Sequence, residues 1–247
     1  MQENLYDDQV FFKNYMELRE NPVSYNTLLE QPALQAMLPP LAGKHVLDLG
    51  CGFGEGCAGY LRLGAAHVTG VDLSQNMINE AKKRNADERT AYFCMDMTQI
   101  ASLGENYNYD VVASSLAVHY IEDFNALARS VYAILKKGGS FVFSQEHPLT
   151  TAPKEGPNWV YDEEIHKRFY PLSSYSCPGP RTEEWLECSV HKYHRTFSQV
   201  LNALLGAGFV IRELREPVPD EQTVQKNPRM VKEYDKPSFL LIAAQKL

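Results

Sequence analysis

Apolar positions along the chain follow two alternating patterns. Short, continuous apolar runs predict strands at HVLDLG (45–50), HVTGVDLS (67–74), TAYFCMDM (90–97), YDVVASSLAV (109–118) and SFVFSQ (140–145). The segments between them carry apolar residues at helical spacing. One follows a Gly-rich turn and ends at Gly64. A second presents Met77, Ile78 and Ala81 behind Ser74 as its N-cap. A third starts at Asp123 as cap and is predicted to run to Lys136 and Lys137, stopping at Gly138-Gly139. Strands alternating with helices predict an α/β domain on a parallel sheet with right-handed crossovers. Ahead of it, residues 1–40 read as a helical cover rich in aromatics (Tyr6, Phe11, Phe12, Tyr15, Tyr25), with Pro32 in a first helical turn and Pro39-Pro40 as the stop.

The alternation breaks at residue 148. Residues 148–195 hold both tryptophans, Trp159 and Trp185, and seven aromatics in 48 residues, denser than the 11 % of the whole chain. This stretch is predicted to be a lid inserted over the sheet's C-terminal edge. The core then resumes. Thr196 and Gln199 have capping-box spacing ahead of Phe197, Val200, Leu201, Leu204 and Leu205, and FVIREL (209–214) and SFLLIAAQ (238–245) bring the strands to seven. The expected organisation is a cover (1–40), a ligand-binding core (41–147), a lid (148–195) and the remainder of the core (196–247).

Composition narrows the function. Acids exceed Lys and Arg by 31 to 24, giving a net charge of −7. Within 148–195 the count is seven acids to six bases, so the lid is no funnel for a phosphate backbone, and no nucleic-acid partner is expected. The six-residue apolar run Phe239–Ala244 cannot span a bilayer, and the N-terminus has no signal-peptide pattern, so stable membrane insertion is not expected. Five cysteines without a CxxC pair predict neither a disulfide framework nor a zinc site, which fits a cytoplasmic protein, as monomer or homodimer.

The strongest chemical signal is VLDLGCGFGEG (46–56), with Asp48, Gly50, Gly52 and Gly54 alternating between strand and helix. Glycines there let the backbone turn sharply and approach a ligand. A dinucleotide fingerprint wants glycine where Glu55 stands, and a carboxylate at that helix start opposes a diphosphate. An adenosyl ligand without phosphates meets no such obstacle. Asp72 ends the second predicted strand, placed to accept from ribose hydroxyls. Asp96 ends the third, placed to accept from an exocyclic amine, with Met97 as an apolar face for a purine.

These residues, with YDVVASSLAVHYIED (109–123), LKKGGSFVFSQEHP (135–148), LLGAGFVIRELREPVP (204–219) and FLLIAAQKL (239–247), resemble the class I S-adenosylmethionine-dependent methyltransferases, most closely the small-molecule, type 11 branch that includes quinone-biosynthesis enzymes. The resemblance implies a Rossmann-like, seven-stranded, mostly parallel sheet of order 3-2-1-4-5-7-6 with strand 7 antiparallel. It implies S-adenosyl-L-methionine as cofactor and S-adenosyl-L-homocysteine as product. Its cofactor contacts fall on Gly50, Cys51 and Gly52 for the methionine part, on Asp72 for the ribose, and on Asp96 and Met97 near adenine, with Asp48, Leu73 and Met77 as further cofactor contacts. Ser114, Ser115 and Leu116 then face the methionine part, and Tyr15, Arg19 and Tyr25 belong to the cover.

Methyl transfer from a sulfonium needs alignment above all, and a base only when the nucleophile must lose a proton. His119 and His147 are the candidate catalytic residues: each titrates near neutrality and follows a strand whose end faces the methyl group. The alternatives are a hydrogen-bonded structural His119 and a His147 tied to the turn before Pro148. Glu146, Trp159, Tyr170 and His194 join both histidines as candidate substrate contacts. The H-x-x-H spacing of His191 and His194 on a strand, with no nearby carboxylate, argues against a metal site. The expected activity is methyl transfer to a small, aromatic or apolar acceptor. Its rivals are ring C-methylation of a quinone precursor and a non-catalytic, cofactor-binding regulator.

Overall fold

The computed structural model describes residues 5–103, 108–155, 159–164 and 166–247. Residues 1–4 of the predicted cover and 156–158 and 165 of the predicted lid lie outside them. In chain order the elements are α1 (Gln9–Arg19), α2 (Gln31–Met37), β1 (His45–Leu49), α3 (Glu55–Arg62), β2 (His67–Asp72), α4 (Gln75–Arg84), β3 (Thr90–Cys94), β4 (Tyr109–Ser114), α5 (Phe124–Ile134) and β5 (Leu135–Glu146). There follow α6 (Pro148–Thr151), β6 (Val160–Asp162), β7 (Lys167–Phe169), β8 (Gly179–Trp185), β9 (Cys188–His194), α7 (Phe197–Ala207), β10 (Val210–Arg215), α8 (Glu221–Lys226) and β11 (Phe239–Gln245).

Seven strands form one sheet in the order β10-β11-β5-β4-β1-β2-β3. Neighbours from β3 to β5 pair in parallel, while β11 runs antiparallel to both β5 and β10. This is the order and polarity that the family resemblance implies. Side chains alternate between the faces, as strand geometry requires. Phe141 and Phe143 pack with Leu47, Leu49 and Val112 beneath α5 and α7. Val142, Leu241 and Ala243 face Leu29, Leu34 and Met37 of the N-terminal cover on the other side. The helices start where their caps dictate: Ser74 accepts from the Met77 N–H, Asp123 from the Ala126 N–H, and Thr196 with Gln199 closes a capping box.

Two predicted boundaries shift. The helix from Asp123 ends at Ile134, short of Lys136 and Lys137. Leu135 is buried and pairs with Tyr109 in the β4–β5 ladder, and Lys136 reaches Asp110 at 2.8 Å. Burial and ladder bonds therefore outweigh one more helical turn. The fourth strand stops at Ser114 rather than continuing to Val118, because Leu116 takes a φ of +50° and turns the chain.

The described residues of 148–195 add no strand to the sheet. They form α6 and two separate antiparallel hairpins, β6–β7 and β8–β9.

Candidate active site

The Gly-rich turn leaves β1 at the sheet's centre. Gly50 has φ +72°, and a Cβ there would lie 2.4 Å from the Ala117 Cβ, so only glycine fits. The N–H groups of Gly50 and Cys51 both donate to the Val71 carbonyl, at 2.8 and 3.0 Å, which clamps the turn to β2. Asp72 completes the clamp, accepting from the Gly52 N–H and the Ser74 N–H, each at 2.9 Å. Burial raises its carboxyl above the usual range.

Beside this turn lies a cavity of about 650 Å³, within the size range of small-ligand sites. Tyr15, Arg19, Asp48, Gly50, Cys51, Gly52 and Ser115 contribute to its wall. Asp48 is 4 % exposed, and burial pushes its carboxyl up to about 7, with Cys57 Sγ as its hydrogen-bond donor at 3.5 Å. Arg19 pairs with Glu55 at 2.8 Å. The Ser115 hydroxyl donates to Glu30 Oε1 at 2.9 Å, and Ser144 of β5 donates to the same oxygen. Glu30 is fully buried and its Oε2 has no hydrogen-bond partner. Sequence reasoning missed Glu30, since nothing in its helical segment marks one acid as buried.

The other predicted cofactor residues, Asp72, Leu73, Met77, Asp96, Met97, Ser114, Leu116 and Tyr25, do not line this cavity. Ser114 is buried, its hydroxyl donating to the Leu49 carbonyl at 2.8 Å. The Leu116 N–H donates to the Ser144 hydroxyl at 3.0 Å, which holds the left-handed backbone. The Met97 methyl lies 3.4 Å from where a Gly50 Cβ would stand, so it lies over the turn. Asp96 accepts from the Thr98 N–H at 2.8 Å, and Leu73 is exposed beside Asp72. Two predicted contacts fall elsewhere. Met77 is 1 % exposed inside the core, leaving almost no surface for a ligand. The Tyr25 hydroxyl donates to the Arg229 carbonyl, and its ring packs on the cover's own apolar cluster.

A second, smaller cavity of about 80 Å³ lies between the ends of β4 and β5 and the β8–β9 hairpin. Tyr120, Glu146, Glu183, Trp185, Val190 and Lys192 line it. The Lys192 ammonium bridges Glu146 Oε2, at 2.7 Å, and Glu183 Oε2. Burial alone would lower the lysine and raise Glu146. The two carboxylates instead raise Lys192, and His119 with Lys192 holds Glu146 below its ordinary range. His119 is buried, with Nε2 3.8 Å from Glu146 Oε1. Burial pushes the imidazole down to about 4, so it is neutral at physiological pH.

Aromatic contacts join the walls of the two cavities. Tyr15 meets Tyr6 edge-on at 5.2 Å and Trp185 at 6.0 Å, and the Tyr6 hydroxyl donates to that of Tyr120 at 3.2 Å. Sequence reasoning missed Tyr120, Glu183, Trp185 and Lys192 as a group, because the fold rather than the local pattern assembles them.

The remaining predicted substrate contacts have other partners. His147 Nε2 pairs with Glu216 at 2.8 Å, and Nδ1 accepts from the Leu149 N–H, capping α6. His194 binds the Thr151 hydroxyl and the Tyr175 carbonyl, each at 2.8 Å. Trp159 and Tyr170 pack on each other at 5.5 Å, beneath Lys232 and Lys236 respectively. Among the described residues no group of three or more His, Cys, Asp or Glu is arranged to hold a metal ion. No described helix is long and apolar enough to cross a membrane.

Comparison with known proteins agrees with this geometry. A family model described as a methyltransferase domain matches residues 47–143, the stretch from β1 into β5. An uncharacterized protein of Haemophilus influenzae is 36 % identical over 99 % of this chain and 97 % of its own length. The solved S-adenosylmethionine-dependent methyltransferase of Mesorhizobium loti is 39 % identical, with a TM-score of 0.80 over 88 % of this chain and 97 % of that one. A ubiquinone biosynthesis O-methyltransferase of Neisseria meningitidis is 28 % identical over 55 % of this chain and 56 % of its own. By 39 % identity and a TM-score of 0.80 over 88 % of its length to a solved member, the chain belongs to the S-adenosylmethionine-dependent methyltransferases, and its cofactor is S-adenosyl-L-methionine.

Proposed function

We propose that the chain methylates a small molecule whose reacting end enters the 80 Å³ cavity between β5 and the β8–β9 hairpin. One observation carries this reading: Tyr15, on the wall of the cavity beside the Gly-rich turn, meets Trp185, on the wall of the smaller cavity, with 6.0 Å between ring centroids. The cofactor supplies an activated methyl group on a sulfonium, and aromatic walls suit a sulfonium by cation–π attraction of about 0.5–2 kcal/mol.

The residues present fit that cofactor. Arg19 offers a guanidinium to its carboxylate, and Asp48 a buried carboxyl to its ammonium. Asp72 keeps lone pairs for ribose hydroxyls beyond the two backbone donors it holds. Asp96 and Met97 flank the adenine side. Ser114 and Leu116 hold the backbone through the Leu49 carbonyl and the Ser144 hydroxyl and do not line the cavity. The sequence pattern pointed to an aromatic or apolar acceptor, but three charged side chains line the small cavity and favour a polar reacting end. His119, neutral and beside Glu146, is placed to orient that carboxylate.

Calorimetry with S-adenosyl-L-homocysteine tests the cofactor half. Asp72→Ala removes charge-assisted hydrogen bonds of about 1.5–3 kcal/mol, so affinity is expected to fall at least about tenfold. Unchanged affinity in a folded variant would overturn the assignment. Transfer of labelled methyl into a metabolite extract tests the acceptor half. Label confined to macromolecules would overturn it.

A further inference from the structure

The small cavity has an unbalanced supply of hydrogen-bond acceptors. Lys192 occupies one oxygen of Glu146 and one of Glu183. Glu146 Oε1 has only the His119 Nε2, at 3.8 Å, and Glu183 Oε1 has no hydrogen bond among the described residues. On the lining itself two carboxylates face one ammonium, an excess of one negative charge; Lys236, outside the lining, attracts both carboxylates from farther away. His119 does not offset it, being neutral. An anionic acceptor would meet this excess at short range. An apolar ring end would strip water from two acceptor oxygens and return no donor, a loss the interior does not tolerate well. A cationic nitrogen satisfies both oxygens and rests against the Trp185 indole and the Tyr120 ring, the two aromatic walls of the cavity. A volume of about 80 Å³ encloses only the reacting end of such a molecule, a few heavy atoms at most.

We infer that the methyl acceptor is a small primary or secondary amine, its nitrogen held between Glu146, Glu183 and the Trp185 ring. This rests on the reading of that cavity as the acceptor site. The amine arrives as its ammonium, and one proton passes by way of Glu146 Oε1 to solvent. The freed lone pair then forms a bond to the methyl carbon as the carbon–sulfur bond breaks and its electron pair stays on sulfur. The product leaves as a methylammonium ion, so charge and protons balance without any further reactant. Glu183 takes no proton in this step; it is a positioning residue for the nitrogen.

The test uses the full-length protein with labelled S-adenosyl-L-methionine and three matched acceptor pairs: 2-phenylethylamine against 2-phenylethanol, ethylamine against ethanol, and benzylamine against benzoate. Label is expected in the amines only. Glu183→Gln is expected to raise the amine KM at least about tenfold while the affinity for S-adenosyl-L-homocysteine stays within about threefold. Label in an alcohol or in benzoate, or no label in any amine by an enzyme that binds S-adenosyl-L-homocysteine, would overturn the amine assignment. Failure of the wild-type protein to bind S-adenosyl-L-homocysteine would instead overturn the cofactor reading beneath it. A Glu183→Gln protein with unchanged amine KM would remove Glu183 from the site.

Discussion

The two hairpins of residues 148–195 are built alike and placed differently. Both are antiparallel, each has a tryptophan in it or directly beside it, and both follow the fifth strand. All three residues of β7 are exposed, and so are two of the three in β6. Their flanking rings, Trp159 and Tyr170, pack on each other and under two lysines of the C-terminal segment. The β8–β9 hairpin instead buries one face: Arg181, Val190, Lys192 and His194 point inward. Its tip brings Trp185 onto Phe11 and Tyr15 of α1, at 5.6 and 6.0 Å. Aromatic content alone therefore does not mark a substrate surface. A strand that spends its buried positions on charged residues, facing a cavity at the sheet edge, is the better sign.

The largest expected effect on this contrast comes from Lys192→Met. It keeps the aliphatic stem and removes the cation that bridges Glu146 and Glu183. Removing one partner of a buried ion pair costs about 3–5 kcal/mol. The lower end applies here, since the carboxylates retain 24 % and 26 % side-chain exposure. Thermal melts should show the loss, and adding Glu183→Gln should recover part of it. A melt unchanged by Lys192→Met would show the cluster to be solvated, and the contrast between the hairpins would weaken.

Trp185→Ala comes next. Methyl transfer should fall about tenfold or more, equivalent to about 1.4 kcal/mol of barrier, because one wall of the acceptor cavity disappears. Full turnover would move the acceptor site away from this hairpin.

His119 gives a smaller and pH-dependent effect. Its folded-state value of about 4 lies below the ordinary 6.5, so the native state resists protonation. Its stabilising contribution is fully present above about pH 6.5 and is lost as pH falls through about 4. His119→Asn should therefore flatten the acid limb of the stability curve between these values, by about 1 kcal/mol or more. An identical acid limb in the variant would remove His119 as its cause.

Trp159→Ala is expected to do least at the site. Turnover and cofactor affinity should both stay within about threefold, under 1 kcal/mol, while the melting temperature falls. A large loss of turnover with stability unchanged would reverse the roles assigned to the two hairpins.

Much of the sheet was legible because its signals are local. Ser74, Asp123 and Thr196 cap the helices that their spacing predicts, and the glycine turn sits where strand and helix meet. Asp48, Cys51 and Gly52, predicted from the same motif, all reach the large cavity, as do Tyr15 and Arg19 from the cover. The small cavity was not legible for a physical reason. Its hairpin turns at Leu186 and Glu187, both at positive φ (51° and 66°), without the Asn-Gly or Asp-Gly pair that normally announces such a turn. The register that faces Arg181 to Lys192 and Glu183 to Val190 was thus hidden. The contacts of Lys192 with Glu146 and of Glu30 with Ser144 span 46 and 114 positions, and only the assembled sheet brings them together. His147 and His194 misled because a histidine at a strand end serves a turn or a carbonyl as readily as a substrate.

The most direct test of the two-cavity account is a crystal structure of the protein with S-adenosyl-L-homocysteine bound. The account predicts the ribose on Asp72, the amino-acid end between Arg19 and Asp48, and the thioether sulfur turned toward the Tyr15–Trp185 contact and the Glu146 side. A ligand whose sulfur faces away from that contact, or whose amino-acid end fills the cavity at Lys192, would contradict it.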